Sequence, residues 1–258
     1  MNTTINNKGY EFDRIADIKR LDFILQSLQQ SVPPGSSVLD VGCGNGVISR
    51  HLGKHGFNVF GIDVSEKTII QAKALTSLPN VQFKVISAEQ LVADGKKYDA
   101  VICSEVLEHL KQPSLLLKVL YDCLKDSGKL IVTVPNGKGP REVLVTKPVQ
   151  KMQTTNSLLW RMLFKFKTML GYSGATPQSA ADDLSHIQFF SKKDLEQLST
   201  NNQFKIVRFA KSNFVDDVFP FSLFTRRIKW LQKVDSKIAD LLPYQFTGGF
   251  FSMWAKEK

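Results

Sequence analysis

A doubly wound α/β fold, with a largely parallel sheet covered by helices on both faces, is predicted by three observations. Short apolar segments alternate with helix-like segments from Val38 to Val134. Those apolar segments are nearly continuous, the pattern of strands buried on both sides. The first of them, Val38-Leu39-Asp40-Val41, runs straight into Gly42-Cys43-Gly44-Asn45-Gly46 and a helix-like stretch from Val47 to Lys54. A strand, a tight turn and a helix N-terminus in that order form a ligand cradle at the carboxyl edge of a parallel sheet.

The elements follow in order. Tyr10 to Gln30 spaces Phe12, Ile15, Ile18, Leu21, Leu25 and Leu28 three or four apart, an amphipathic helix that Pro33-Pro34 ends. Residues 1–34 form an N-terminal helical extension. Strands are expected at Val38–Val41, Asn58–Ile62, Val81–Ile86, Tyr98–Cys103 and Lys129–Val134, with helices at Ser65–Ser77 and Ser114–Leu124. After Pro135-Asn136 the rhythm stops until Ser191-Lys192-Lys193-Asp194, a capping signal that opens a new helix. So long a gap reads as an insertion, 138–184, placed as a lid. A strand at Phe204–Phe209, a helical insertion over 212–246 with its helix at Arg226–Leu242, and a last strand at Gly248–Ala255 complete the chain. The whole, 1–258, is expected to be one domain, its length ample for a full core.

Charge is local. Between Lys138 and Tyr172 seven Lys/Arg stand against Glu142, a net of +6, and between Thr225 and Ile238 five stand against Asp235, a net of +4. Those patches account for the entire net charge of +10, so basicity belongs to two segments and not to the fold. Cys43, Cys103 and Cys123 are odd in number and widely spaced, which argues against a disulfide framework and for a reducing, cytoplasmic setting. No apolar leader follows the start and no apolar run approaches a membrane span.

The loop narrows the ligand. Alternate glycines allow positive φ and close approach of a ligand. A dinucleotide loop needs its third glycine where Val47 stands, and no Lys-Ser or Lys-Thr pair follows, so neither a pyrophosphate loop nor a P-loop fits. With Asp40 ending the strand as D-x-G-x-G-x-G, the stretch resembles the first motif of the class I S-adenosylmethionine-dependent methyltransferases. The resemblance implies a Rossmann-like, seven-stranded sheet, mostly parallel with an antiparallel last strand, bearing helical insertions. It also implies that Asp40, Gly42, Cys43, Gly44 and Gly46 surround S-adenosylmethionine, Asp40 facing its cationic groups. Asp63, with Val64 beside it, ends the second strand 17 positions after Gly46, where a carboxylate can accept both hydroxyls of a ribose. The same position also suits the first acid of the next helix. Ala88-Glu89 lie after the third strand, beside an adenine. Arg20, in an Arg-Leu pair similar to one in the ubiquinone-biosynthesis O-methyltransferases, is the expected partner of the cofactor carboxylate, with Arg14 and Lys19 as competitors.

After the fourth strand comes Cys103-Ser104-Glu105-Val106-Leu107-Glu108-His109. Ser104 is expected to edge the cofactor. On a helical turn Glu105, Glu108 and His109 share one face, a mixed oxygen and nitrogen set suited to Mg²⁺ or Zn²⁺. The E-x-x-E-H string resembles the metal site of quinone-pathway O-methyltransferases and of small-RNA 2′-O-methyltransferases, although Leu110 stands where the latter have a second histidine. His186 is the candidate fourth ligand. His109 or His186 is otherwise a general base, or structural. His51 and His55, four apart, are expected on a solvated helix face.

Leu158 to Leu170 interleaves Trp160, Phe164 and Phe166 with Arg161, Lys165 and Lys167, the pattern of an interfacial helix at an anionic bilayer or of a lid packed over the substrate mouth. The chain is therefore expected to methylate a hydroxyl of a small amphiphilic or phenolic, quinone- or lipid-like acceptor, in the cytoplasm or peripherally at the membrane. The alternatives are 2′-O-methylation of RNA, nucleic acid being the less favoured partner, and a catalytically inert cofactor-binding partner protein. The oligomeric state is not legible.

Overall fold

The computed structural model describes residues 11–92, 95–148, 186–216, 218, 221–225 and 228–257. Seven strands form one sheet in the order β3-β2-β1-β4-β5-β7-β6: β1 Ser37–Val41, β2 Asn58–Asp63, β3 Val81–Val85, β4 Tyr98–Ser104, β5 Leu124–Pro135, β6 Phe204–Lys211 and β7 Gly249–Lys256. β1 to β5 are mutually parallel, while β7 runs antiparallel to both β5 and β6. The expected seven-stranded topology with its reversed last strand is therefore present, and every strand lies close to its expected bounds except β5, which begins at Leu124, where a helix end was expected, rather than at Lys129.

Burial on both faces explains the near-continuous apolar strands. Leu39, Val41, Val101, Cys103 and Val132 pack on one side of the sheet, with Leu117, Leu120 and Trp254. Val38, Ala100, Ile102 and Ile131 pack on the other, with Ile24, Leu28, Leu52 and Phe57. The register Val38↔Ala100 and Leu39↔Val101 keeps like faces together across β1 and β4, as the two-residue period of a strand requires.

The helices are α1 Ile15–Ser31, α2 Val47–Lys54, α3 Glu66–Ala74, α4 Ala88–Val92, α5 Pro113–Cys123, α6 Lys192–Asn201, α7 Phe221–Thr225 and α8 Lys229–Leu241. The first starts five residues later than expected and buries Leu21, Ile24 and Leu28. The capping box forms as read: the Ser191 hydroxyl accepts from the Asp194 amide and Asp194 accepts from the Ser191 amide. The expected interfacial helix at Leu158–Leu170, and most of the 138–184 segment, lie outside the described residues. Among those described, no helix is long and apolar enough to cross a membrane.

Candidate active site

The glycine loop closes over the carboxyl end of β1. Gly42, Gly44 and Gly46 have φ of 68°, 54° and 79°, left-handed values that strain any residue with a Cβ. A Cβ at Gly42 would lie 2.6 Å from Val106, and one at Gly46 2.5 Å from Phe83. The amides of Gly42 and Cys43 both donate to the Ile62 carbonyl, tying the loop to β2. Asp40 departs from expectation. Its carboxylate does not open toward a ligand but is buried beneath the loop, where it accepts from the Ser49 hydroxyl at 2.6 Å. Burial pushes its pKa up to about 7, because desolvation disfavours the ionised form. The Cys43 side chain packs into the core, and burial pushes its thiol pKa up.

Asp63 stands at the end of β2 with both oxygens engaged: Oδ2 accepts from the Gly44 amide at 2.9 Å and Oδ1 from the Ser65 amide at 2.8 Å. The carboxylate is thus fixed beside the loop, and each oxygen keeps a lone pair for a diol. The N-cap of α3 is Ser65 rather than Asp63. Val64 is exposed beside it, Ala88 is buried at the start of α4 and Glu89 is exposed.

Arg50 was not legible as a site residue. It is buried, donates to the Asn45 carbonyl at 2.6 Å, and forks onto the Glu11 carboxylate. Its guanidinium clamps the loop to the segment preceding α1, and that carboxylate is held below its usual range by Arg50 against the opposing effect of burial. His51, expected in solvent, is in fact buried, and desolvation lowers its pKa to about 4. The helix carrying it packs that side inward, with the exposed His55 ring tilted against it at 4.7 Å between ring centroids.

On the other side of the loop Arg20 is buried, pairs with Asp17 at 2.8 Å and reaches Glu105 at 3.5 Å. Its buried Nε has no hydrogen-bond partner among the described residues. Ser104 is buried and bonds to Thr133 at 2.8 Å, and Thr133 donates to Glu105 at 2.9 Å. The Ser104 hydroxyl is thus occupied by β5.

The shared face expected of Glu105, Glu108 and His109 does not form. Glu105 has a φ of 56°, outside the helical range, and only Leu107–His109 make a single 3₁₀ turn. Glu105 is swung toward Arg20 and Thr133, and the group that converges is Glu108, His109 and His186, with one ligand atom from each lying within 4.8 Å of the others. His109 Nε2 is 3.7 Å from Glu108, and the imidazoles of His109 and His186 meet edge to face at 5.2 Å. The backbone carbonyl of Glu108 accepts from the amides of both Ile187 and Gln188, which brings His186 back across the sheet edge. Glu108 is 1% exposed, its carboxylate has no hydrogen-bond partner among the described residues, and burial with the Glu105 charge raises its pKa well above the carboxylate range. Glu142, read in sequence only as the lone acid of a basic stretch, is buried 3.4 Å from His186. A lone acid amid lysines was its only signal.

A glycine cradle, a fixed carboxylate and a buried acid-histidine cluster, all at the carboxyl edge of a sheet ordered β3-β2-β1-β4-β5-β7-β6, define a nucleoside-binding enzyme of the class I methyltransferase fold. A family model described as a methyltransferase domain matches residues 12–208, and the chain belongs to the S-adenosylmethionine-dependent methyltransferases. It is 38% identical over 110 residues to the ubiquinone biosynthesis O-methyltransferase of Coxiella burnetii, covering 42% of this chain and 47% of that one. It is 36% identical over 139 residues to the enzyme of that name from Dechloromonas aromatica, covering 52% and 58%. The chain thus matches about half the length of these relatives. Among solved structures, magnesium protoporphyrin IX methyltransferase from Synechocystis PCC 6803 with bound S-adenosylmethionine superposes with a TM-score of 0.55 at 18% identity, covering 94% of this chain and 81% of that one. A methyltransferase from Clostridium acetobutylicum gives 0.59 at 12% identity, covering 93% and 92%.

Proposed function

We propose that the chain transfers the S-adenosylmethionine methyl group to a hydroxyl of a small amphiphilic or phenolic, quinone- or lipid-like acceptor. The observation that carries this reading is the buried Glu108 beside the half-buried imidazoles of His109 and His186. The cofactor supplies an activated methyl on a sulfonium; the chain's own residues do the rest. Asp63 holds the ribose diol, the N-terminus of α2 faces the amino-acid end, and Arg20, with a buried Nε left to donate, suits its carboxylate. His109 takes the proton of the acceptor hydroxyl, with Glu108 as the neighbouring acid 3.7 Å from its Nε2. The partial identity to two ubiquinone biosynthesis O-methyltransferases favours an oxygen acceptor.

Glu108, His109 and His186 would also suit a divalent ion, Mg²⁺ or Zn²⁺, since two imidazoles and a carboxylate offer donor atoms within 4.8 Å of one another. The ion would lower the pKa of the acceptor hydroxyl. The deciding experiment supplies S-adenosylmethionine labelled in its methyl group with phenolic, lipid and RNA extracts. Label in the phenolic or lipid fraction supports the proposal, and label confined to RNA overturns it.

A further inference from the structure

The connection between β6 and β7 carries a helix mounted with its polar side inward. At about 100° per residue, Gln232, Asp235, Ser236 and Ala239 of α8 fall on one side, and all four are buried. Each polar member has a fastening. The Gln232 carbonyl oxygen accepts from the Ile15 amide and its amide donates to Thr225, Asp235 accepts from the amides of Phe214 and Val215, and the Ser236 carbonyl accepts from Lys19. The opposite side carries Trp230, Val234, Ile238 and Leu241, which are 64%, 43%, 40% and 87% exposed. Phe221 and Phe224 of α7, joined to α8 through the Thr225–Gln232 bond, are 56% and 63% exposed. A helix that buries its amides and carboxylate and presents tryptophan, leucine and isoleucine to the outside is the reverse of an ordinary surface helix, whose apolar stripe faces the core. Scattered apolar residues are normal on a surface; a contiguous ridge is not.

The charges beside the ridge say what it meets. Lys233 and Lys237 form an exposed flank along one edge of the stripe, while Lys229 beside them pairs with Asp13 at 3.2 Å. The one outward acid of the helix, Asp240, is held by Lys19 at 2.7 Å. Tryptophan and leucine flanked by exposed lysines match the headgroup boundary of an anionic bilayer. The ridge also stands at the right end of the molecule. β6 ends at Lys211 and β7 begins at Gly249, opposite Pro135 at the carboxyl end of β5, so α7 and α8 rise from the sheet edge that carries Glu108 and His109. The Asn136 amide ties that edge to the connection by donating to the carbonyls of Tyr244, Gln245 and Thr247.

We propose that the outward face of α7 and α8 is a docking surface for an anionic lipid bilayer. It is independent of the Leu158–Leu170 segment and does not rest on the methyl-transfer reading. The test is co-sedimentation of the full chain with vesicles of equimolar phosphatidylglycerol and phosphatidylcholine, and with phosphatidylcholine alone, across a salt series. The variants are Trp230→Ser/Leu241→Ser and Lys233→Gln/Lys237→Gln. The wild type should sediment with the anionic vesicles far more than with the neutral ones. The apolar double variant should partition about tenfold less or weaker at every salt concentration. The lysine variant should lose about fivefold per lysine at low salt and converge on the wild type at high salt. Both variants should melt like the wild type, since all four side chains are exposed. Three results would overturn the proposal: wild type that ignores anionic vesicles, variants that bind them unchanged, or a lipid-free dimer that the apolar variant dissociates. Salt-sensitive RNA retention abolished by the lysine variant, without vesicle binding, would reassign the face to nucleic acid.

Discussion

Replacing Asp63 with asparagine removes one carboxylate oxygen and leaves the side chain's shape almost unchanged. Both oxygens accept backbone amides, from Gly44 and Ser65. An amide side chain can accept from only one of them and must turn its own N–H₂ on the other. Either the glycine loop or the start of α3 then loses a charge-assisted bond, about 1.5 to 3 kcal/mol. Asp63 is only partly buried, so water recovers part of this and about 2 kcal/mol is expected. For a chain of this size that lowers Tm by roughly 4 to 8 °C. The ribose diol meets the same deficit, so the affinity for S-adenosylmethionine and S-adenosylhomocysteine should fall by about tenfold to a hundredfold. Differential scanning fluorimetry reads the first effect and titration calorimetry the second. A variant that melts and titrates like the wild type would refute the reasoning. Heat from a nicotinamide dinucleotide, with none from S-adenosylmethionine, would refute the assignment of the loop itself.

Gly46→Ala combines a φ of 79° with a Cβ 2.5 Å from Phe83, and should cost about 1 to 3 kcal/mol in denaturant melts while weakening S-adenosylmethionine binding in calorimetry. Asp40 keeps its proton in the folded state up to about pH 7, whereas the unfolded chain releases it near pH 4. The native state therefore binds more protons across that window, and stability falls as pH rises through it, by up to roughly 4 kcal/mol. Asp40→Asn should flatten that slope in urea titrations between pH 4 and 8, and an unchanged slope would assign the fall to other groups. Exhaustive chelation should abolish turnover yet leave S-adenosylmethionine binding intact if Glu108, His109 and His186 hold an ion. Full turnover after chelation, together with a loss of about a hundredfold or more in His109→Ala, would instead leave His109 as the base.

The sheet and the ligand end of the molecule were readable because their signals are local. Apolar runs that require two covered faces, alternate glycines that require positive φ, and an acid closing the second strand are each set by a few adjacent residues. The errors fall where a side chain's partner is far along the chain or where periodicity was extended over a break. Helical spacing from Glu105 to His109 presumes helical backbone, but Glu105 has a φ of 56° and its carboxylate answers to Arg20 and Thr133. Asp40 was read toward the ligand, yet Ser49, nine residues on, draws it beneath the loop. The Arg50 clamp depends on Glu11, 39 residues away, and the Glu142–His186 pair joins the start of the 138–184 segment to the chain just past its end. Nothing in its local sequence marks Arg50 as different from a surface residue, and Glu142 stands out only as a lone acid amid lysines. The inverted mounting of α8 is equally invisible, since its pattern says that one face is apolar but not which way that face points.

The order of strands has a consequence for how the chain is made. Among the described residues β6 pairs with no strand but β7, and β7 lies between β5 and β6. Phe204 on β6 also takes its place in the core against Trp254 on β7, with ring centroids 5.8 Å apart. During vectorial synthesis, β1 to β5 can therefore pair as they emerge, but β6 has no neighbour to join until Gly249–Lys256 has left the ribosome and threaded between two strands already made. Until then β5 presents a bare edge, Lys129 to Pro135, that will later be filled. At translation rates of about 5 to 20 residues per second, the chain from Pro135 to Lys256 takes roughly 6 to 25 seconds to appear. For that interval the nascent protein carries a nearly complete ligand loop on an unfinished sheet, and the open edge is its point of exposure to mispairing.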